Sequence, residues 1–445
     1  MDSSKKDFYE KYDYNERTPH FVKPEELTKQ QYDRLVKEDN FCMMPWVHMH
    51  AFPDGRVYPC CLGDYWHPIG DLRKNTMTEV WNQDAYKTMR KNMLEDKPCK
   101  ECTKCYEQEQ NGFFSMRNDA NRNYGHLIPE VDQTHEDGEH PEFKLRYWDI
   151  RFSNLCNFRC RSCGPIFSSN WFNDHVKLYG KVPDVLKRDM ARVEYTTGDE
   201  DGMLAQMEEH IPHLEQVYFA GGEPLIMKEH YYLLDRLIDL GKTDVRLVYN
   251  TNFSEMRYKK KHVFDYWNKF ETVNVGASLD GMGPQAELIR KGANWKQTED
   301  NRVRMMAEVP HVDFYVSATV TSQNVLHVLD FHRDWVDKGF IKPQDFNVNI
   351  CQSPDWYRID IFPEEFKRNV IEPAYRKHIE WLDPQDQLRR ATTGFESAIN
   401  FMNSQDNHKQ NWGRFKEEVT KLDEIRNEDF WATFPEFQEL KNVTA

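Results

Sequence analysis

The chain has 445 residues, a formal net charge of −15, and 39% hydrophobic, 13% aromatic and 30% charged residues. This composition supports a sizeable core and excludes a disordered chain, and the length calls for two or three domains or one large α/β barrel with attachments. The acidic balance argues against nucleic acid as the main partner, and no apolar run approaches the roughly 18–20 residues of a membrane span.

Residues 1–41 are polar and charged and read as a loosely attached N-terminal arm without the apolar stretch of a secretory signal. The expected location is the cytoplasm, where disulfides are rare and clustered thiols read as metal or cluster ligands. Residues 42–130 form a cysteine-bearing region. Its first part carries a hairpin signal, Phe52–Tyr58, with Asp54-Gly55 at the turn. A helix is expected over Thr78–Met93, with Val80, Trp81, Met89 and Met93 on its buried face. Residues 131–143 are acidic, lack apolar periodicity and read as a linker.

From 144 to 355 the pattern alternates. Strand-like runs cover Tyr147–Phe152, Gln216–Ala220, Val245–Asn250, Thr272–Ser278, Asp313–Val320 and Asp345–Ile350. Helix-length segments, among them Tyr231–Leu240, Lys259–Lys269, Glu299–Glu308 and Val325–Lys338, lie between them. Such alternation implies a parallel sheet with right-handed crossovers and an active site at the C-terminal strand ends. Six units are fewer than a full barrel has, so the expectation is α/β with a partial (β/α)6 barrel. Residues 356–445 read as a helical, charged C-terminal extension.

Two cysteine groups carry the chemistry. The later one is Cys156, Cys160 and Cys163, spaced C-x3-C-x2-C directly after the first strand of the alternating region. Three thiolates on one tight loop can wrap three corners of an iron–sulfur cubane and leave the fourth iron open to a small molecule. Zinc fits less well, because it usually wants four ligands. The second strand runs into Gly221-Gly222-Glu223-Pro224. The glycines allow close approach of backbone to a ligand, and Glu223 can accept a charge-assisted hydrogen bond from an ammonium group.

With these residues the chain resembles the radical S-adenosylmethionine superfamily. The resemblance implies a 4Fe-4S cluster on Cys156, Cys160 and Cys163, chelated by S-adenosylmethionine. It further implies reductive cleavage to a 5′-deoxyadenosyl radical that abstracts hydrogen from a substrate. Gly221, Gly222, Glu223 and Pro224 would face the methionine part of the cofactor, and Asn252, Ser278 and Asp280 at later strand ends its ribose and carboxylate. Asn, Asp and Ser also favour ordinary turns. Ser162 departs from the family, which often has an aromatic residue before the third cysteine. An electron donor such as flavodoxin or ferredoxin is implied as a partner. The substrate is unidentified: a peptide, a carbohydrate or a cofactor precursor.

The earlier group is Cys42, Cys60, Cys61, Cys99, Cys102 and Cys105. A hairpin pair plus a later pair can supply four ligands to one closed site. Together with Pro59, Ile69–Leu72 and Glu79–Trp81 it resembles the auxiliary-cluster modules called SPASM and twitch, although those usually follow the barrel. The resemblance favours Cys42, Cys60, Cys102 and Cys105 as ligands of a second 4Fe-4S cluster, with Cys61 and Cys99 as alternates. The alternative is a zinc or iron–sulfur interaction module joined to an inactive barrel. His48 and His50 share one face of an expected strand and read as packing or hydrogen-bonding groups rather than ligands. Cys351, at the end of the last strand, reads as a buried or a pocket-facing thiol.

Overall fold

The computed structural model describes residues 22–110, 114–182 and 192–444. Its eleven strands among these residues are β1 His48–Ala51, β2 Arg56–Tyr58, β3 Gly70–Asp71, β4 Tyr147–Ile150, β5 Gln216–Phe219, β6 Arg246–Thr251, β7 Arg257–Tyr258, β8 Lys261–His262, β9 Val273–Ala277, β10 Asp313–Val320 and β11 Phe346–Ile350. The chain divides into two compact units. The first holds the described residues up to Ser153 with Glu194–Tyr218 and Asp235–Arg246. The second holds those of 154–193, Phe219–Leu234 and Leu247 onward.

In the first unit β1 turns back antiparallel onto β2, and β2 pairs with β3. On its other edge β1 runs parallel to β4, with His48 opposite Tyr147 and His50 opposite Asp149. β4 continues parallel to β5. The cysteine-bearing region thus contributes strands to the same sheet as the first strands of the alternating region. The expected helix Thr78–Met93 is two helices, Met77–Trp81 and Asp84–Leu94. Asn82 breaks it, because its side chain is bonded to the backbone of His140 through Nδ2 at 2.9 Å and through Oδ1 at 3.1 Å.

Two segments expected to be loose are packed. Of the arm, residues 1–21 lie outside the described residues. The helix Lys29–Val36 starts with a capping box between Thr28 and Gln31 and fully buries Leu35. Arg34 and Gln31 both bind the Asp132 carboxylate, at 2.9 and 2.8 Å. The acidic stretch 131–143 lies on the helix Asp84–Leu94, with a Lys87–Asp137 ion pair at 2.7 Å and a buried His140. Polarity alone misled here: the charges face outward, while a few apolar and hydrogen-bonding groups do the anchoring.

In the second unit β6, β9, β10 and β11 form a parallel sheet in that order. The crossovers include the helices Trp295–Glu308 and His327–Asp337. Trp267 and Trp335 are fully buried. Burying 150–250 Å² of such a ring is worth about 4–6 kcal/mol before entropy is counted. From 356 onward the chain is mainly helical, with Glu372–Leu382, Arg390–Ser404 and His408–Arg426 as its long members. Among the described residues no helix is long and apolar enough to cross a membrane.

Gly138 tests the packing of the acidic stretch. Its φ is +87°, and a Cβ there would stand 2.0 Å from the Lys87 carbonyl oxygen. Gly138→Ala should therefore destabilise the protein by about 1–3 kcal/mol, read as a lower urea midpoint. An unchanged midpoint would mean that this stretch is not seated on the helix.

Candidate functional site

The second unit carries the later cysteine group on the loop after β4. Two contacts fold the loop back on itself: Ser169 N–H donates to Asn154 O at 2.8 Å, and Asn154 Nδ2 donates to Pro165 O at 2.8 Å. Backbone bonds from Arg159 to Lys291 at 2.9 Å and from Arg161 to Ile289 at 2.7 Å dock it on the segment after β9. The indole of Trp171 donates to Cys160 O at 2.7 Å. Cys156, Cys160 and Cys163 are all half-buried free thiols.

The turn after β5 is bound directly to this loop. Gly221 and Gly222 have φ of +79° and +55°. The Glu223 N–H then donates to Leu155 O, one residue before Cys156, at 2.8 Å. A Cβ on Gly222 would meet that same oxygen at 2.3 Å. Pro224 is buried and opens the short helix Pro224–Ile226. The Glu223 side chain accepts from Thr251 Oγ1 at 2.7 Å, Leu225 N–H at 3.1 Å and Asn252 N–H at 2.7 Å. Burial nevertheless raises its carboxyl to about 7, outweighing these donors. Asn252 reaches on through Nδ2 to Asn157 Oδ1 at 2.8 Å, so the end of β6 also holds the cysteine loop.

The strand-end residue Asp280 is buried and paired. Its Oδ2 lies 2.8 Å from Arg290 Nε, and its Oδ1 accepts from Thr319 N–H at 2.8 Å. Arg290 Nη1 in turn lies 3.9 Å from Cys160 Sγ. Ser278 is half-buried at the end of β9, and its N–H donates to Thr251 O at 2.7 Å. The unit therefore gathers the three cysteines, Gly221 to Pro224, Asn252 and Asp280 around one loop, with Ser278 at the neighbouring strand end. Cys351 is buried, its thiol 3.4 Å from Ser353 O.

Sequence reasoning missed Arg290, Asn157 and a clamp from the C-terminal helices. Arg161 is buried between Asp423 and Glu428, the latter at 2.6 Å. Asp174 joins Arg159 at 2.8 Å to Arg426 at 2.9 Å, and Arg426 lies over the Trp171 ring. The one sequence signal was the pair of cations Arg159 and Arg161 on the predicted loop.

The first unit carries the earlier group. Cys42, Cys60, Cys102 and Cys105 line one small cavity, with Pro59, Met116 and Arg117 among its walls. Cys61 and Cys99 do not line it. The Cys99 thiol is directed to Met89 O at 3.8 Å and bonds with the Cys102 thiol. Burial pushes the Cys42 thiol up to about 12, and burial with the neighbouring sulfurs raises Cys60. Four such thiols ionise together only against a compensating cation, so this donor set fits a thiolate-bound cluster or metal.

Residues 42–106 match the SPASM family, an iron–sulfur cluster-binding domain. This part of the chain is thus similar to iron–sulfur cluster-binding domains of SPASM type. A comparison with curated proteins finds no match. Among solved structures, similarity is found to anSMEcpe with bound AdoMet and Cp18Cys peptide, at 18% identity over 55% of this chain and 60% of that one, TM-score 0.31. Streptococcus suis SuiB bound to precursor peptide SuiA gives 14% identity over 63% and 60%, TM-score 0.36. TYW1 with a lysine-pyruvate adduct gives 13% over 54% and 71%, TM-score 0.25. The chain thus spans about three fifths of the length of the first two.

Gly222→Ala should cost about 1–3 kcal/mol of stability from backbone strain alone, because the new methyl group drives Leu155 and the Glu223 N–H apart. Gly164→Ala, at a site with nothing within 4 Å of the added carbon, is the matched control and should be near neutral. Thermal melts of the two variants make the comparison, and equal melting would refute the close approach.

Proposed function

We propose that the chain is a radical S-adenosylmethionine enzyme with two 4Fe-4S clusters. One would be held by Cys156, Cys160 and Cys163, and the second by Cys42, Cys60, Cys102 and Cys105. The observation that carries this reading is the bond from Glu223 N–H to Leu155 O, which sets an acidic Gly-Gly-Glu turn against a loop of exactly three spaced thiols. When bound, the cluster supplies one-electron reductive cleavage of S-adenosylmethionine.

The chain's own residues do the positioning. Three cysteines offer three thiolates and leave one metal corner for a chelating ligand. Glu223 has three acceptor positions filled, which leaves capacity on Oε2 for one more donor, such as the cofactor ammonium. Asn252 and Asp280 keep the loop and the strand ends in place, and Ser278 at the end of β9 would serve a ribose hydroxyl. The sheet would then be the partial barrel of this enzyme class, with 42–130 as its auxiliary domain and 356–445 as its extension. The reading also includes a cytoplasmic location, a flavodoxin- or ferredoxin-type donor and an organic substrate whose identity is open.

Cys156→Ala, Cys160→Ala or Cys163→Ala should each abolish release of 5′-deoxyadenosine from S-adenosylmethionine and reductant, while the iron of the other cluster remains. Wild-type release from the triple variant would overturn the proposal.

The Glu223 carboxyl gives a pH signature. It moves from 4.5 to about 7 on folding. Between those values the folded chain keeps a proton that the unfolded chain has lost, so stability falls as pH rises through this window. The total is on the order of 3 kcal/mol. An ammonium ligand needs the ionised form, so cofactor affinity should rise up to about tenfold per pH unit below pH 7 and then level off. In Glu223→Gln the affinity should be roughly 10- to 150-fold weaker at pH 8, and this rise should vanish. Equilibrium titrations at pH 6, 7 and 8, with iron content as the control, decide it, and a pH-independent wild type would remove Glu223 from the cofactor site.

A further inference from the structure

His48 and His50 lie two residues apart on β1 and so share one face of the sheet, and both are fully buried. Asp149, also fully buried, stands opposite His50 on β4. Each of the three offers a donor atom within 4.8 Å of the other two.

The hydrogen bonds fix the state of both rings. His48 Nδ1 lies 2.9 Å from Tyr147 O, and a carbonyl only accepts, so Nδ1 carries the proton. His50 Nδ1 lies 3.0 Å from Asp149 Oδ2, where the same reasoning holds. In a neutral ring the lone pair then sits on Nε2, and both Nε2 atoms are shut off from solvent and have no hydrogen-bond partner. Burial also holds His48 neutral, with its pKa down to about 4.

A ring whose Nδ1–H is spent on a carbonyl or a carboxylate, and whose Nε2 is free, is the arrangement found behind metal-binding histidines. We propose that this cluster binds one divalent transition-metal ion, with His48 and His50 as its nitrogen ligands and Asp149 as the carboxylate that holds His50 and balances the charge.

The neighbouring Arg151, 3.3 Å from Asp149 Oδ1, decides the class of ion. Its positive charge opposes an ion held by charge alone, which disfavours magnesium and calcium. Affinity then rests on the imidazoles, which favours zinc and its neighbours. Donors in a tetrahedral zinc site with bonds of about 2.0–2.1 Å stand about 3.3 Å apart, so binding requires the two imidazoles to turn toward a common ion.

The test uses the full chain with its clusters reconstituted, then incubated with zinc and desalted over a chelating resin. The expected result is about one zinc per chain beyond the iron. It should be lost in His50→Gln with iron unchanged, and kept in Cys102→Ser. No retained zinc in the wild type, zinc that survives His50→Gln, or zinc that disappears with Cys102→Ser would each overturn the proposal. If His50→Gln fails to fold, zinc-edge X-ray absorption of the wild type decides. Imidazole scattering without sulfur supports the site, and sulfur at about 2.3 Å places the zinc on cysteine instead.

Discussion

Glu223 carries a carboxyl group into a place where the residue is only 1% exposed, and three donors of the chain converge on it. Its backbone N–H holds the residue before Cys156, and its side chain holds the end of β6 through Thr251 and Asn252. Asn252 then returns to the cysteine loop at Asn157. The loop, the glycine turn and the strand end are therefore one hydrogen-bonded ring, in which no member can move alone. The balance of forces in it is informative. Charge-assisted bonds are worth about 1.5–3 kcal/mol each, yet desolvation still prevails and lifts the carboxyl toward neutrality.

The two cysteine groups solve different problems with the same atom. In the first unit four thiols come from three separate segments, two residues before the short helix Met44–Val47, a hairpin end, and the turn Lys100–Cys102 with the start of the helix Thr103–Gln110, and they converge on one cavity. In the second unit three thiols come from a single loop, and the neighbours bring the Arg290 guanidinium and the Trp171 indole N–H instead of a fourth sulfur. One arrangement closes its site with protein, and the other leaves a corner for something else.

The six strands of the alternating region were legible in the sequence to within about two residues, because apolar runs such as Val273–Ala277 end on Gly, Asp or Asn. The C-x3-C-x2-C loop and the Gly-Gly-Glu turn were legible because both are local patterns. What stayed hidden was long-range pairing. The parallel register of β1 with β4 joins positions about a hundred residues apart, and no local period announces it. The pairing of Asp280 with Arg290 could not be read either, since a turn-forming Asp looks the same with or without a guanidinium above it. The helix break at Asn82 depended on a partner at His140, far along the chain.

The clamp on Arg161 has a consequence for how the protein is made. The guanidinium is paired through Nη2 with Asp423 and Glu428, 262 and 267 positions further on. A ribosome adding roughly 5–20 residues per second needs about 13–50 seconds to cover that distance. For that interval the cysteine loop exists as peptide, with its thiols and the Arg159–Asp174 pair present and the partners of Arg161 missing. Loading the loop during synthesis would place metal on an unclamped scaffold, whereas loading after release meets a closed one. The order of events at birth, and not only the final geometry, is thus written into where the acidic partners stand along the chain.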